Sequence, residues 1–157
     1  MKLIIGPLFF EESVQTVTVT KERYVDVLNK FWNELETRCH TYIPKSWFQQ
    51  DGATPHTANI TINWLKEHFK HRVVSKRYKI GWPPYSPDLS PPDFFLWGYL
   101  KDRVYKDRPK TITDLKQKIK DEVKGIKRSV LESVMENFTL RMQKCKNQSG
   151  CHLEHLL

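Results

Sequence analysis

The sequence predicts an α/β fold, on three observations. Short apolar or aromatic runs alternate with stretches of helical periodicity, Gly and Pro close most of these runs, and a proline-rich loop divides the alternating part from a helical remainder. Residues 1–10 read as the first strand, closed by Glu11 and Glu12. Thr20 can cap a helix over 21–37, with Tyr24, Val27, Leu28, Phe31 and Leu35 at inward spacing. Residues 46–50 form the next strand and run into Asp51, where Gly52 and Pro55 stop the strand and turn the chain. Thr57 can then cap a helix reaching about Lys70, with Ala58, Ile62, Leu65 and Phe69 in register, and 71–75 is a short third strand.

Between Trp82 and Pro92 lie five prolines, too many for a helix or central strand. Ser90 can cap the helix that follows, because Pro91 and Pro92 suit first positions where the missing N–H costs nothing. Asp93 then falls in the first turn, where a carboxylate either favours the helix dipole, by ~0.3–1 kcal/mol, or serves as a metal ligand whose position matters. Asp51 has the same two readings. It is a turn aspartate satisfying local N–H groups, or a ligand at the carboxyl end of a strand, where open α/β sheets hold theirs. Asp88, inside the Ser-Pro-Asp-Leu turn, reads as a loop-bracing residue, and His56 as a hydrogen-bonded turn residue.

After Pro109, Thr111 opens a further helix with Asp114 three residues on, a weaker form of the capping box. Ile112, Leu115, Ile119, Val123 and Ile126 make its inward stripe. Ser129 with Glu132 is a full capping box for a last helix, with Val130, Val134, Phe138 and Met142 inward and a stop near Gly150. Trp64, Trp82 and Trp97 read as core or loop anchors, with stacking on bases the lesser role.

The 157 residues are of single-domain size, and 39% hydrophobic with 12% aromatic content excludes a disordered chain. No run approaches the ~18 apolar residues of a membrane span. The apolar start is short, broken by Gly6-Pro7, and lacks a small-residue cleavage site, which argues against a signal peptide. Three cysteines, Cys39, Cys145 and Cys151, make no framework and point to a reducing compartment. Cys151-His152 with His155 has no zinc-site spacing and reads as a frayed tail.

The formal charge is +8, with a pI near 9.4, which favours a polyanionic partner. The charge is concentrated between Lys101 and Arg128, where 11 Lys or Arg face five Asp or Glu. Lys101, Arg103, Lys116, Lys120, Lys124, Lys127 and Arg128 are the candidate DNA-binding residues, set against an ordinary solvated helix face.

The runs Phe48-Gln49-Gln50-Asp51-Gly52-Ala53-Thr54-Pro55-His56-Thr57-Ala58 and Trp82 to Gly98 resemble the catalytic domain of mariner-type transposases, DNA-transposing enzymes with a three-carboxylate site on a ribonuclease-H-like fold. The resemblance extends through Ile5-Gly6-Pro7-Leu8-Phe9-Phe10 upstream and Thr111-Ile112-Thr113-Asp114-Leu115 downstream. It implies that Asp51 and Asp93, with 41 residues between them, are the second and third acidic ligands, and that Mg²⁺ or Mn²⁺ is the cofactor. It places the family's first aspartate on a strand before residue 1 and its DNA-reading helices earlier still, so an intact transposase is not expected. The implied fold is a partial ribonuclease-H-like α/β domain, first strands missing, over 1–126, with a C-terminal helix and tail over 127–157.

The implied function is a nucleic-acid-binding remnant of a metal-dependent transposase domain, expected to be inactive for want of the first aspartate. The alternative is a captured noncatalytic DNA-binding or protein-interaction module. DNA is the expected partner, with a homodimer or a full-length transposase as further partners, no membrane, and a nuclear location.

Overall fold

The computed structural model describes residues 4–12 and 15–148. The tail reading at Gly150, Cys151, His152 and His155 lies outside them. Within the described residues the chain is mostly helical, and it divides into two compact units, Leu8–Pro84 and a second running from Tyr85 onward together with the first seven residues.

The first unit is built from two short strand pairings, a single bridge between Val74 and Ile80, and three helices. Strands β1 (Glu11–Glu12) and β2 (Gln15–Thr16) form a small antiparallel hairpin. It replaces the predicted strand over 1–10, of which the described residues 4–10 carry no ladder. Extended backbone becomes a strand only where a neighbour accepts its hydrogen bonds, and here the pairing starts at Phe10, whose carbonyl accepts from Val17 N. Helix α1 (Lys21–Cys39) begins where expected, with Arg23 N–H donating to the Thr20 hydroxyl at 3.3 Å. A 3₁₀ segment, His40–Lys45, leads into β3 (Phe48–Gln49). Then come a single turn α2 (Thr54–Thr57), helix α3 (Asn59–Phe69) and β4 (Val73–Val74), which pairs parallel with β3, Phe48 opposite Val73.

Thr57 does not cap the second helix. Its hydroxyl donates back to the carbonyls of Ala53 and Thr54, and the chain breaks at Ala58 before α3 begins. Arg77 bridges that break, with one guanidinium nitrogen donating to Thr57 O at 2.7 Å and to Asn59 Oδ1 at 2.8 Å. The core beneath is Leu28, Trp64, Leu65, Phe69 and Val73, with Tyr24, Phe31, Leu35, Phe48 and Tyr78 against it, and with Val25 and Trp32, which periodicity alone did not single out. Trp32 stands edge-on to Trp64 and Phe69, and Trp64 donates its indole N–H to Asn29 Oδ1 at 2.7 Å, so the buried polar handle is satisfied. Val27 lies outside this cluster and lines a cavity with Phe9 and Phe10.

The second unit holds the proline-rich loop and the remaining helices. A 3₁₀ turn, Pro87–Leu89, precedes a π-helical turn, Pro92–Leu96, which continues as α4 (Trp97–Lys106). The helix starts after Ser90 as expected, but by a different device. The Ser90 carbonyl, not its hydroxyl, receives Asp93 N at 2.9 Å and Phe94 N at 3.0 Å. Helix α5 (Ile112–Gly125) is capped by Thr111, whose hydroxyl accepts from Asp114 N at 3.0 Å. Leu100 and Val104 of α4 and Val123 and Ile126 of the α5 segment are buried, whereas Ile112, expected inward, is 56% exposed. Helix α6 (Arg128–Asn147) begins a residue before the predicted box, without a side-chain cap, since Glu132 pairs with Arg128 at 3.0 Å. Met142 is exposed, not inward.

Candidate active site and nucleic-acid interface

Asp51 follows directly on β3. Gln50 N–H extends the parallel ladder to Val74 O at 3.1 Å, and Asp51 is the first residue past it. Its Oδ1 accepts from Ala53 N at 3.0 Å and meets His56 Nδ1 at 2.5 Å. The side chain is nonetheless 63% exposed. One carboxylate oxygen therefore braces the Asp-Gly-Ala-Thr-Pro-His turn in a side chain that stays largely exposed. At Gly52 an added Cβ would sit 3.3 Å from Lys76 Cδ, so the turn runs close past the Lys76 stem.

What stiffens the turn was not legible as a motif. Gln50 is buried, and its side-chain amide joins three segments. Oε1 accepts from the Tyr24 hydroxyl of α1 at 3.1 Å, and Nε2 donates to His56 O at 2.7 Å and to Ser75 Oγ at 3.1 Å. Tyr24 also lays its ring against His56, with centroids 4.3 Å apart. Sequence periodicity gave Tyr24 only an inward position; its hydroxyl is the part that reaches the site.

Burial, and secondarily the charge of Asp51, push the Tyr24 phenol well above its ordinary range. A raised folded-state pKa contributes stability that is complete below the unfolded value near ~10 and is lost as pH rises beyond it. Tyr24→Phe removes that titration together with the bond to Gln50. At pH 8 the variant is expected to be about 1 kcal/mol less stable in urea unfolding, and the gap should narrow as the pH is raised past ~10. A gap that stays constant with pH would contradict this placement of the phenol.

Asp93 belongs to the second unit. It is exposed, on the π turn Pro92–Leu96, whose defining bond runs from Trp97 N to Pro92 O. Such turns occur often at functional positions. Asp88 lies in the 3₁₀ turn Pro87–Leu89. It is buried, and its carbonyl accepts from Arg141 of α6 at 3.0 Å, while the same guanidinium lies 4.3 Å over the Phe94 ring, next to Asp93. Arg141 thus ties the 3₁₀ turn and the π turn together, a role sequence reasoning missed because its partners lie about 50 residues back along the chain.

Among the described residues, no three His, Cys, Asp or Glu side chains gather as a metal cage. Asp51 belongs to the Leu8–Pro84 unit and Asp93 to the other. As donors, both offer exposed carboxylate oxygens, the hard ligands that suit Mg²⁺ or Mn²⁺.

Of the basic candidates, Lys101, Arg103, Lys120, Lys124, Lys127 and Arg128 are exposed, and Lys116 is half-buried. Lys120 and Lys124 are four residues apart on α5, a spacing that keeps them on one helix face, and Lys127 lies in extended backbone just past the helix end. Arg103 stacks over the Tyr99 ring at 4.4 Å, and Arg128 is held by Glu132. Trp64 is core, Trp82 is half-buried, and Trp97, expected as an anchor, is 58% exposed. Among the described residues, Cys39 and Cys145 carry free thiols, and no helix is long and apolar enough to cross a membrane.

No family model matches the chain. Over 127 residues, 78% of its length, it is 35% identical to the transposable element Tc3 transposase of Caenorhabditis elegans, of which it spans 36%. Its fold is similar to that of the Mos1 transposase catalytic domain, solved with raltegravir and Mn, with a TM-score of 0.75 at 22% identity, over 88% of this chain and 67% of that one. The ribonuclease-H-like α/β class expected from the sequence is the fold this likeness shows.

Proposed function

We propose, for a chain whose sequence and fold support a mariner/Tc1-type transposase catalytic domain, that it binds DNA and that Asp51 in one unit and Asp93 in the other each serve as a carboxylate ligand for divalent metal in phosphodiester chemistry. The observation that carries this reading is Asp51. It stands immediately beyond a parallel strand, with one oxygen locked by Ala53 N and His56 and the rest of the carboxylate exposed. Asp93 offers the second carboxylate from a helix start held by Arg141.

The Mn in the Mos1 structure supports the choice of metal. When bound, Mg²⁺ or Mn²⁺ would supply Lewis-acid stabilisation of charge on the phosphodiester oxygens. The chain's own residues do the rest. His56 fixes the Asp51 carboxylate, Gln50 and Tyr24 fix His56, and the basic surface of α5 holds the DNA backbone. DNA transposition is the process this chemistry serves, with the nucleus as the location and a second transposase chain as the partner.

Divalent-dependent DNA binding tests the reading. In the wild-type chain, Mn²⁺ uptake followed by electron paramagnetic resonance should accompany a rise in affinity for a labelled duplex when Mn²⁺ replaces EDTA. Asp51→Asn with Asp93→Asn should abolish both. A double variant that keeps the Mn²⁺-dependent increment would rule out these carboxylates as ligands.

A further inference from the structure

The geometry points to a single-stranded nucleic-acid site on α4, a strip formed by Trp97, Lys101 and Tyr105 that takes unpaired nucleotides adjoining the phosphate at Asp93. It rests on the reading of Asp93 given above and adds to it the form of DNA bound there.

Helix α4 has three faces. Leu100 and Val104 are buried. Tyr99 is used within the chain, its ring 5.3 Å from Phe95 and under the Arg103 guanidinium. A third face leaves two large rings wet, with Trp97 58% and Tyr105 56% exposed and the exposed Lys101 midway between them. Among the described residues, neither ring enters an aromatic, cation–π or hydrogen-bonding contact.

The spacing is four residues at each step, and each step overshoots a full α-helical turn by ~40°. Asp93 is four residues before Trp97, but on the wider π turn, where four residues fall short of a full turn. The two deviations have opposite sign, so the π turn keeps Asp93 in line with the strip instead of rotating it away. From Trp97 to Tyr105 the strip is ~12 Å long, the length of three or four stacked nucleotide steps at ~3.4 Å.

Two aromatic faces with an ammonium between them suit a chain of π-faced bases joined by phosphates, and such stacking tolerates any sequence. A duplex hides its base faces, so it would gain nothing from Trp97 and Tyr105 and would rely on the lysines of α5. Unpaired nucleotides at a strand end would present the base faces that such a strip takes.

The test compares a fluorescein-labelled twelve-nucleotide oligo-dT with a duplex of the same length, by anisotropy in Mn²⁺ buffer. Trp97→Ala with Tyr105→Ala is expected to weaken single-strand binding by roughly tenfold per ring and to leave duplex binding unchanged. Trp97→Phe with Tyr105→Phe should retain most of the single-strand affinity, and both pairs replace exposed rings, so far-ultraviolet circular dichroism should stay wild-type. Single-strand binding that is unaffected by the alanine pair, or that falls in parallel with duplex binding, overturns the strip while leaving the reading of Asp51 and Asp93 intact. Wild-type chain that binds neither oligonucleotide overturns both. Alanine variants that bind DNA normally but change their sedimentation coefficient would assign the rings to a protein partner and likewise overturn the proposal.

Discussion

Replacing Gln50 by leucine is expected to destabilise the Leu8–Pro84 unit by about 3 kcal/mol. Leucine matches glutamine in bulk, so little of the loss would come from packing. It would come from the three groups the amide now joins, namely the Tyr24 hydroxyl, the His56 carbonyl and the Ser75 hydroxyl. Ser75 is fully buried, and a buried group deprived of its partner costs ~1–3 kcal/mol. Tyr24 and His56 sit nearer the surface and can recover part of their loss from water, which holds the total below the sum of three. Gln50→Glu separates the contributions. A carboxylate can accept from both hydroxyls but cannot donate to His56 O, and it adds a charge beside Asp51, so it should be destabilising chiefly through the turn. Urea unfolding of both variants, with the midpoint shift read at unchanged slope, checks this. A loss under ~1 kcal/mol for Gln50→Leu would show that the junction is incidental.

Reversing the charge of Lys120, Lys124 and Lys127 together is expected to lower duplex affinity by at least a hundredfold at low salt. Lys120 and Lys124 are exposed on α5 and Lys127 just beyond its end, within the stretch that carries most of the excess positive charge. Each phosphate contact releases counterions and contributes about −0.9 to the slope of log affinity against log salt, so neutral Lys→Gln versions should flatten that slope by almost one unit per residue. The pairing of the two measurements is what identifies the contacts. Weaker binding with an unchanged slope would mean that the lysines act on folding or on long-range attraction, and that the DNA lies elsewhere.

Features governed by neighbouring residues were legible in the sequence. Thr20 and Thr111 cap their helices as expected because capping joins a hydroxyl to an N–H three residues on. The strand before Asp51 and its stop at Gly52 were legible for the same reason, since Gly and Pro act on their own dihedral angles. Where two local solutions compete, the sequence misled. Thr57 prefers to bond back into α2, and Glu132 turns to Arg128 instead of completing a box with Ser129. Features that depend on distant partners left no local trace. The strand expected over 1–10 depends on which segment pairs with it. Gln50 meets Tyr24 and Ser75 across 26 and 25 residues, and Arg141 meets Asp88 across 53. The two candidate carboxylates were therefore readable as positions, while the groups that hold them were not.

The distribution of tryptophans gives this protein a built-in optical division. Of its five, Trp32, Trp47, Trp64 and Trp82 lie in Leu8–Pro84, and Trp97 alone belongs to the other unit. Trp64 is buried, stacked on His68 at 3.8 Å and edge-on to the half-buried Trp32, while Trp97 is wet. The difference between wild-type and Trp97→Phe emission spectra is thus the signal of one solvated indole four residues from Asp93. Trp47 is itself 53% exposed, so it is this difference spectrum, and not the red edge of the wild-type emission, that would follow α4 and whatever approaches it.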